Sequence, residues 1–195
     1  MNYFISTFIC FICTLNSYAQ NFADTVLYNS EFKWSIVIPE GFYLVSVDSV
    51  NAMHKRGAQK LENSSNQKIE DNTTNIFMFK SNRFNYFESC SQPYDTTTDG
   101  KISESVKLIA NVLYNSFTSQ IKNVEIDSSF EIEKISGLEF HKLKMKIKYP
   151  NNLVFYINMY CRLFGNKELA INIYYVDEIK GYQMLNAWKK SKFHD

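Results

Sequence analysis

From Val124 to Val176, side-chain polarity alternates with a period of two, and this feature constrains the chain more than any other. Four runs, 124–135, 138–149, 153–164 and 168–176, are separated by Ser136-Gly137, Pro150-Asn151-Asn152 and Gly165-Asn166-Lys167. Successive strand side chains point to opposite faces, so each run has an oily side and a polar side. Connections this short cannot carry the crossover that a parallel pair needs. The runs therefore form an antiparallel meander.

The second run contains the comb HKLKMKIK, residues 141–148, with lysine at every second position. If Ser136-Gly137 is a two-residue hairpin loop, Ile135 faces Leu138. Glu131 then meets Lys142, Asp127 meets Lys146 and Glu125 meets Lys148. On the other face Ile132 meets His141, Phe130 meets Leu143 and Ile126 meets Ile147. Acid against base and apolar against apolar is what cross-strand pairing favours. The comb therefore reads as a solvated strand face with its charge offset by a neighbour, rather than as an anion grip.

Upstream, FKWSIVIPEGF (32–42) opens the folded part as a strand ended by Pro39-Glu40-Gly41. Asp48 is placed to cap a helix running to about Leu61, and 62–75 is polar and loop-like. NIFMFKSNRFNYFESC reads as two aromatic strands around a Ser81-Asn82 turn. Ile102, Val106, Ile109, Leu113, Phe117 and Ile121 recur at helical spacing, so 102–121 is an amphipathic helix. A third helix closes the chain with Ile179, Tyr182, Leu185 and Trp188 on one face. The fold class is α+β: an antiparallel β-sheet, a meander from residue 124 on, flanked by helices as an α/β/α sandwich.

The first stretch, MNYFISTFICFICTLNSYAQ, has no acidic or basic side chain, a short apolar run and a small-x-small ending at Ser17-Tyr18-Ala19. It reads as an export signal, 1–19, cleaved to leave a single domain over 20–195. A retained anchor is the alternative. The Cys10-x-x-Cys13 spacing lies inside that segment, so it is not read as a redox motif. Cys90 and Cys161 remain. Cys161 sits on the apolar parity of its strand, as a buried thiol would, while a disulfide stays open in an exported chain.

Little else resembles chemistry. With 21 Lys+Arg against 20 Asp+Glu, the chain lacks the basic excess of a nucleic-acid binder. His54, His141 and His194 have no metal-ligand spacing, and neither a nucleophile elbow nor a phosphate loop is present. No catalytic, cofactor-binding or metal-binding residue is expected. Three Asp-Ser/Thr triplets begin at Asp24, Asp48 and Asp95, and the loop site at Thr96 is the one suited to O-glycosylation. Tyr156, Asn158, Tyr160 and Arg162, with Asn172 and Tyr174 nearby, form a candidate partner-binding surface of tyrosines, amides and an arginine. The opposing expectation is that a helix covers this face.

The order of elements resembles the PsbP-like/DcrB-like superfamily. WSIVIPEGF matches its aromatic-x-apolar-x-Pro-x-Gly-aromatic opening at Trp34, Ile36, Ile38, Pro39, Gly41 and Phe42. Gly137-Leu138-Glu139-Phe140 is similar to its central strand start, and Ser191 and Phe193 to its closing Ser-x-Phe. The resemblance implies an α/β/α sandwich and an accessory, binding or assembly role, with no catalytic residues to carry over. The expected function is an exported, non-catalytic accessory or binding protein of the periplasm or cell envelope. Its partner would be a protein or envelope component, without nucleic acid, cofactor or membrane span after signal cleavage. A small hydrolase or ligand-processing enzyme, and an immunity-type inhibitor, are the alternatives.

Overall fold

The computed structural model of the chain describes residues 25–53, 55 and 72–194. The expected export segment with Cys10 and Cys13, His54, and the continuation of the first helix to Leu61 lie outside the described residues.

The strands and helices are β1 (Val26–Asn29), β2 (Trp34–Val37), β3 (Tyr43–Leu44) and α1 (described over 47–53). Next come β4 (Thr74–Asn82), β5 (Asn85–Pro93) and α2 (Ile102–Gln120). The meander is β6 (Glu125–Ile135), β7 (Leu138–Lys148), β8 (Val154–Phe164) and β9 (Lys167–Tyr175). Helix α3 (Glu178–Lys189) and the short β10 (Lys192–Phe193) end the chain.

The large sheet has the order β3-β4-β5-β9-β8-β7-β6, and every pairing in it is antiparallel. Ser136 and Gly137 both take positive φ (50° and 82°), the geometry of a two-residue hairpin turn whose twist matches its strands. That turn sets the expected register, with Glu131 opposite Lys142 and Glu125 opposite Lys148.

One face of the sheet carries α2, whose Val106 and Ala110 are buried against Leu143, Met145, Ile147, Ile157 and Cys161. Helix α1 packs on the same face through Val50, against Met78. The other face carries α3 and a second sheet of order β1-β2-β10. There Trp34 and Trp188, both fully buried, meet edge-on with centroids 5.8 Å apart, and Phe193 stacks on Trp34. The result is an α+β fold with a sheet covered on both sides. Among the described residues, no helix is long and apolar enough to cross a membrane.

Four expectations need correction. The fold opens at β1, not β2; Ile38 N–H donates to Thr25 O and extends that pairing. Ser46, not Asp48, precedes α1, and its hydroxyl accepts from Ser49 N–H. The β4–β5 turn falls at Arg83-Phe84, beyond a register shift at Lys80/Asn82; Asn82 Oδ1 accepts from the N–H groups of Phe84 and Asn85. On α3, Ile179 and Tyr182 are exposed, while Gly181, Met184 and Trp188 are buried. The helix lies so close to β9 that a Cβ at Gly181 would come 2.4 Å from the Tyr175 ring. A hydrophobicity wheel cannot weight a residue that packs by having no side chain.

Candidate functional site

The lysine comb divides into two parts. Lys142 is only 8% exposed, with Glu131, Glu133 and the Tyr160 ring around its ammonium. Its ammonium lies 2.6 Å from Glu131 and 2.8 Å from Glu133, and Glu133 also meets Lys189 of α3 at 2.9 Å. Tyr160 donates its hydroxyl to Glu133 at 3.2 Å. Burial opposes the charge on Lys142, but bonds from Glu131 and Glu133 hold its pKa well above the ordinary lysine range. Burial would likewise raise the Glu133 carboxyl, yet hydrogen bonds from Lys142 and Lys189 outweigh it and keep that group below its usual range. This is a satisfied network joining β6, β7, β8 and α3. Lys144 and Lys146 are exposed and Lys148 meets Glu125 at 3.3 Å with both side chains reaching water, so this end of the comb is the solvated face expected of the whole.

The six residues of the candidate surface do not share a face. The β8–β9 hairpin pairs Phe164 with Lys167, so Asn158 stands opposite Ile173 and Met159 opposite Asn172. Asn172 and Tyr174 therefore point to the α2 side, and Tyr156, Asn158, Tyr160 and Arg162 to the α3 side. Tyr160 and Asn158 are buried, Arg162 donates to Glu139 O, and Tyr156 donates to Glu178 beside a stacked Tyr175. The expectation that a helix covers this face describes Tyr160; the joint surface does not exist.

A groove of about 460 Å³ runs between β2 and α3. Ile36, Val37, Ile38 and Pro39 form one wall and Gln183, Asn186 and Ala187 the other. Lys190 and Lys192 stand at one end. The groove exists because β10 pairs with β2 only at Trp34 and Ser35. Antiparallel alternation turns Ile36 and Ile38 toward β1, so the N–H and C=O of Val37 face the groove. Gln183 Oε1 is buried there with no hydrogen-bond partner among the described residues. An acceptor, a strand edge and an apolar wall suit an extended ligand carrying its own backbone amides.

At the rim, Ser35 Oγ lies 3.0 Å from His194 Nε2, and the imidazole packs edge-on against Tyr28. A hydroxyl against an imidazole is half of a nucleophile–base arrangement; an orienting carboxylate would complete it. Sequence reasoning did not connect His194 to Ser35. The signal was the continuing period-two pattern of KFH, residues 192–194, which makes the terminus a strand.

Cys90 and Cys161 are not bonded to each other. Each stands opposite Ala170, one from either side, so they lie two strands apart, beyond disulfide reach. Among the described residues no three His, Cys, Asp or Glu groups cluster as a metal site. Thr96 is exposed in its loop, as a glycosylation acceptor must be.

No family model and no curated protein matches this sequence. The solution structure of cyanobacterial PsbP (CyanoP) from Synechocystis sp. PCC 6803 superposes with a TM-score of 0.56 at 10% identity, covering 90% of this chain and 96% of that one. A crystal structure from Bacteroides thetaiotaomicron VPI-5482 gives a TM-score of 0.45 at 8% identity, over 83% of this chain and 45% of that one. The chain thus has a PsbP-like fold, and at this identity the likeness is one of fold alone.

Proposed function

We propose that this PsbP-like chain is an exported accessory protein of the periplasm or cell envelope that works by binding an extended partner segment, without turnover. The observation that carries the reading is the β2–α3 groove, where the open edge at Val37 and the buried Gln183 Oε1 offer hydrogen bonds along an apolar wall. The export signal over 1–19 supports the location, and residues 20–195 are the working domain.

Panning a displayed library of random linear peptides on the 20–195 chain tests the binding. Enriched peptides should alternate apolar residues and lose binding to Ala187→Trp, which fills the groove. No enrichment, or retention unaffected by that substitution, sinks the reading. N-terminal sequencing of the exported protein should begin at Gln20; an intact chain retained inside the cell refutes the location.

The Ser35–His194 contact favours a second reading, hydrolysis of an ester at the groove rim. It predicts ester turnover that Ser35→Ala abolishes.

A further inference from the structure

Among the described residues the large sheet ends on β6, an edge strand of 11 residues whose pairing with β7 runs from Glu125 to Ile135 without a register shift. The two-residue turn makes Ile135 and Leu138 a hydrogen-bonded pair, so the odd-numbered residues of β6 bond to β7. The N–H and C=O groups of Ile126, Ser128, Phe130, Ile132 and Lys134 therefore point away from the sheet. Proteins usually blunt such an edge with a bulge, a proline or a covering element. This strand has no bulge or proline, and Phe130 and Ile132 remain 45% and 59% exposed.

The two faces of β6 differ in chemistry. On the α3 side Glu125, Asp127 and Glu131 are exposed, and Asp127 has no ion pair among the described residues. The lysines that answer Glu125 and Glu131 lie one strand inward on β7. On the α2 side Phe130 and Ile132 flank a hollow of about 160 Å³, walled also by Val106, Lys107 and His141. A strand laid on β6 would place alternate side chains over the carboxylates and the others beside Phe130 and the hollow.

We infer that β6 is a strand-addition site for an extended segment of another protein in which lysine or arginine alternates with apolar residues. Main-chain bonds to the outward residues would supply affinity, and the acidic row and the hollow would supply selectivity. A second copy of this chain fits poorly. Every antiparallel self-pairing centred between Ser128 and Ile132 sets one acid opposite another: Glu125 on Glu131, Asp127 on Glu131 or Glu133, Glu131 on itself or on Glu133. Like charges directly opposite are destabilising. The inference is independent of the β2–α3 groove.

The test titrates the 20–195 chain with a blocked heptapeptide alternating lysine and valine. Controls are the glutamate–valine analogue and a peptide of the same composition with its lysines and valines in separate blocks. The alternating basic peptide should slow exchange of the amides of Ser128, Phe130 and Ile132. Ser128→Pro removes one outward N–H and none from the β7 ladder, and should weaken binding by about tenfold or more. Ile132→Thr, which keeps strand propensity, should weaken it less, and Ala187→Trp should not change it. Equal binding of the glutamate peptide, protection located elsewhere, or indifference to Ser128→Pro would overturn the inference. So would a dimer in sedimentation that Ser128→Pro dissociates.

Discussion

Lys142 Nζ lies 2.6 Å from Glu131 across the β6–β7 pair, and Glu133, two residues along β6, approaches the same ammonium at 2.8 Å. One lysine thus bridges two acids of the edge strand while the second acid binds Lys189 of α3. A charge pattern that looks superficial in the sequence becomes the attachment of a helix to its sheet. Lys142→Ala leaves Glu133 short of a partner in a covered site and should cost about 2–4 kcal/mol. Lys142→Met, which keeps the apolar stem, should cost less. Urea unfolding of the two variants checks the order.

The same network sets an acid limit. Glu133 has a folded pKa below its unfolded value of about 4.3. Its contribution is therefore present above that pH and is lost as pH falls through the folded pKa. Stability of the wild type should decline below about pH 4.3, and Glu133→Gln should be less stable at neutral pH with a shallower acid decline. Chemical denaturation across that range tests it, and parallel acid limbs would refute it.

At high pH the tyrosines govern. Burial raises the pKa of Tyr86, Tyr160 and Tyr174, with Glu88 adding to the rise at Tyr86. The folded chain keeps protons that the unfolded chain releases from about pH 10, so stability falls as pH rises beyond that point. Tyrosinate absorbance should jump together with loss of the circular dichroism signal. A single smooth titration with intact structure would contradict this.

Gly181→Ala inserts a methyl 2.4 Å from the Tyr175 ring, which is itself stacked on Tyr156. Alanine favours helix, but here the clash should win by about 1–3 kcal/mol. A raised melting temperature would show that α3 can lift off β9.

Burial, and after it the Glu168 carboxylate, push the Cys161 thiol well above its ordinary pKa. Cys161 should resist thiol reagents in the native protein and react on unfolding. Intact mass should be unchanged by reductant.

The meander was legible because its information is local: alternation sets the faces, and Ser136-Gly137 sets the register of the first hairpin. The faces of Asn172 and Tyr174 were misjudged for a related reason. A three-residue connection was assumed between β8 and β9, whereas the turn has two residues, and a one-residue change in pairing exchanges the faces of a strand. The buried side of α3 was misread because Gly181 contributes by close approach. The β2–α3 groove was not legible at all, since it joins residues 36–39 to 183–192, and nothing in either segment specifies the other.

By itself, the sequence determined the α+β class, the four strands of the second half, the acid–base pairing of β6 with β7 and the packed face of α2. Periodicity, turn chemistry and cross-strand pairing act between residues near in the chain, so one sequence suffices to read them. Tertiary structure alone decided that Lys142 is buried while Lys144 is not, that Ser35 meets His194, and that β10 stops short enough to leave Val37 open. Those facts depend on where one element ends against another, and that is set by packing of side chains remote in sequence.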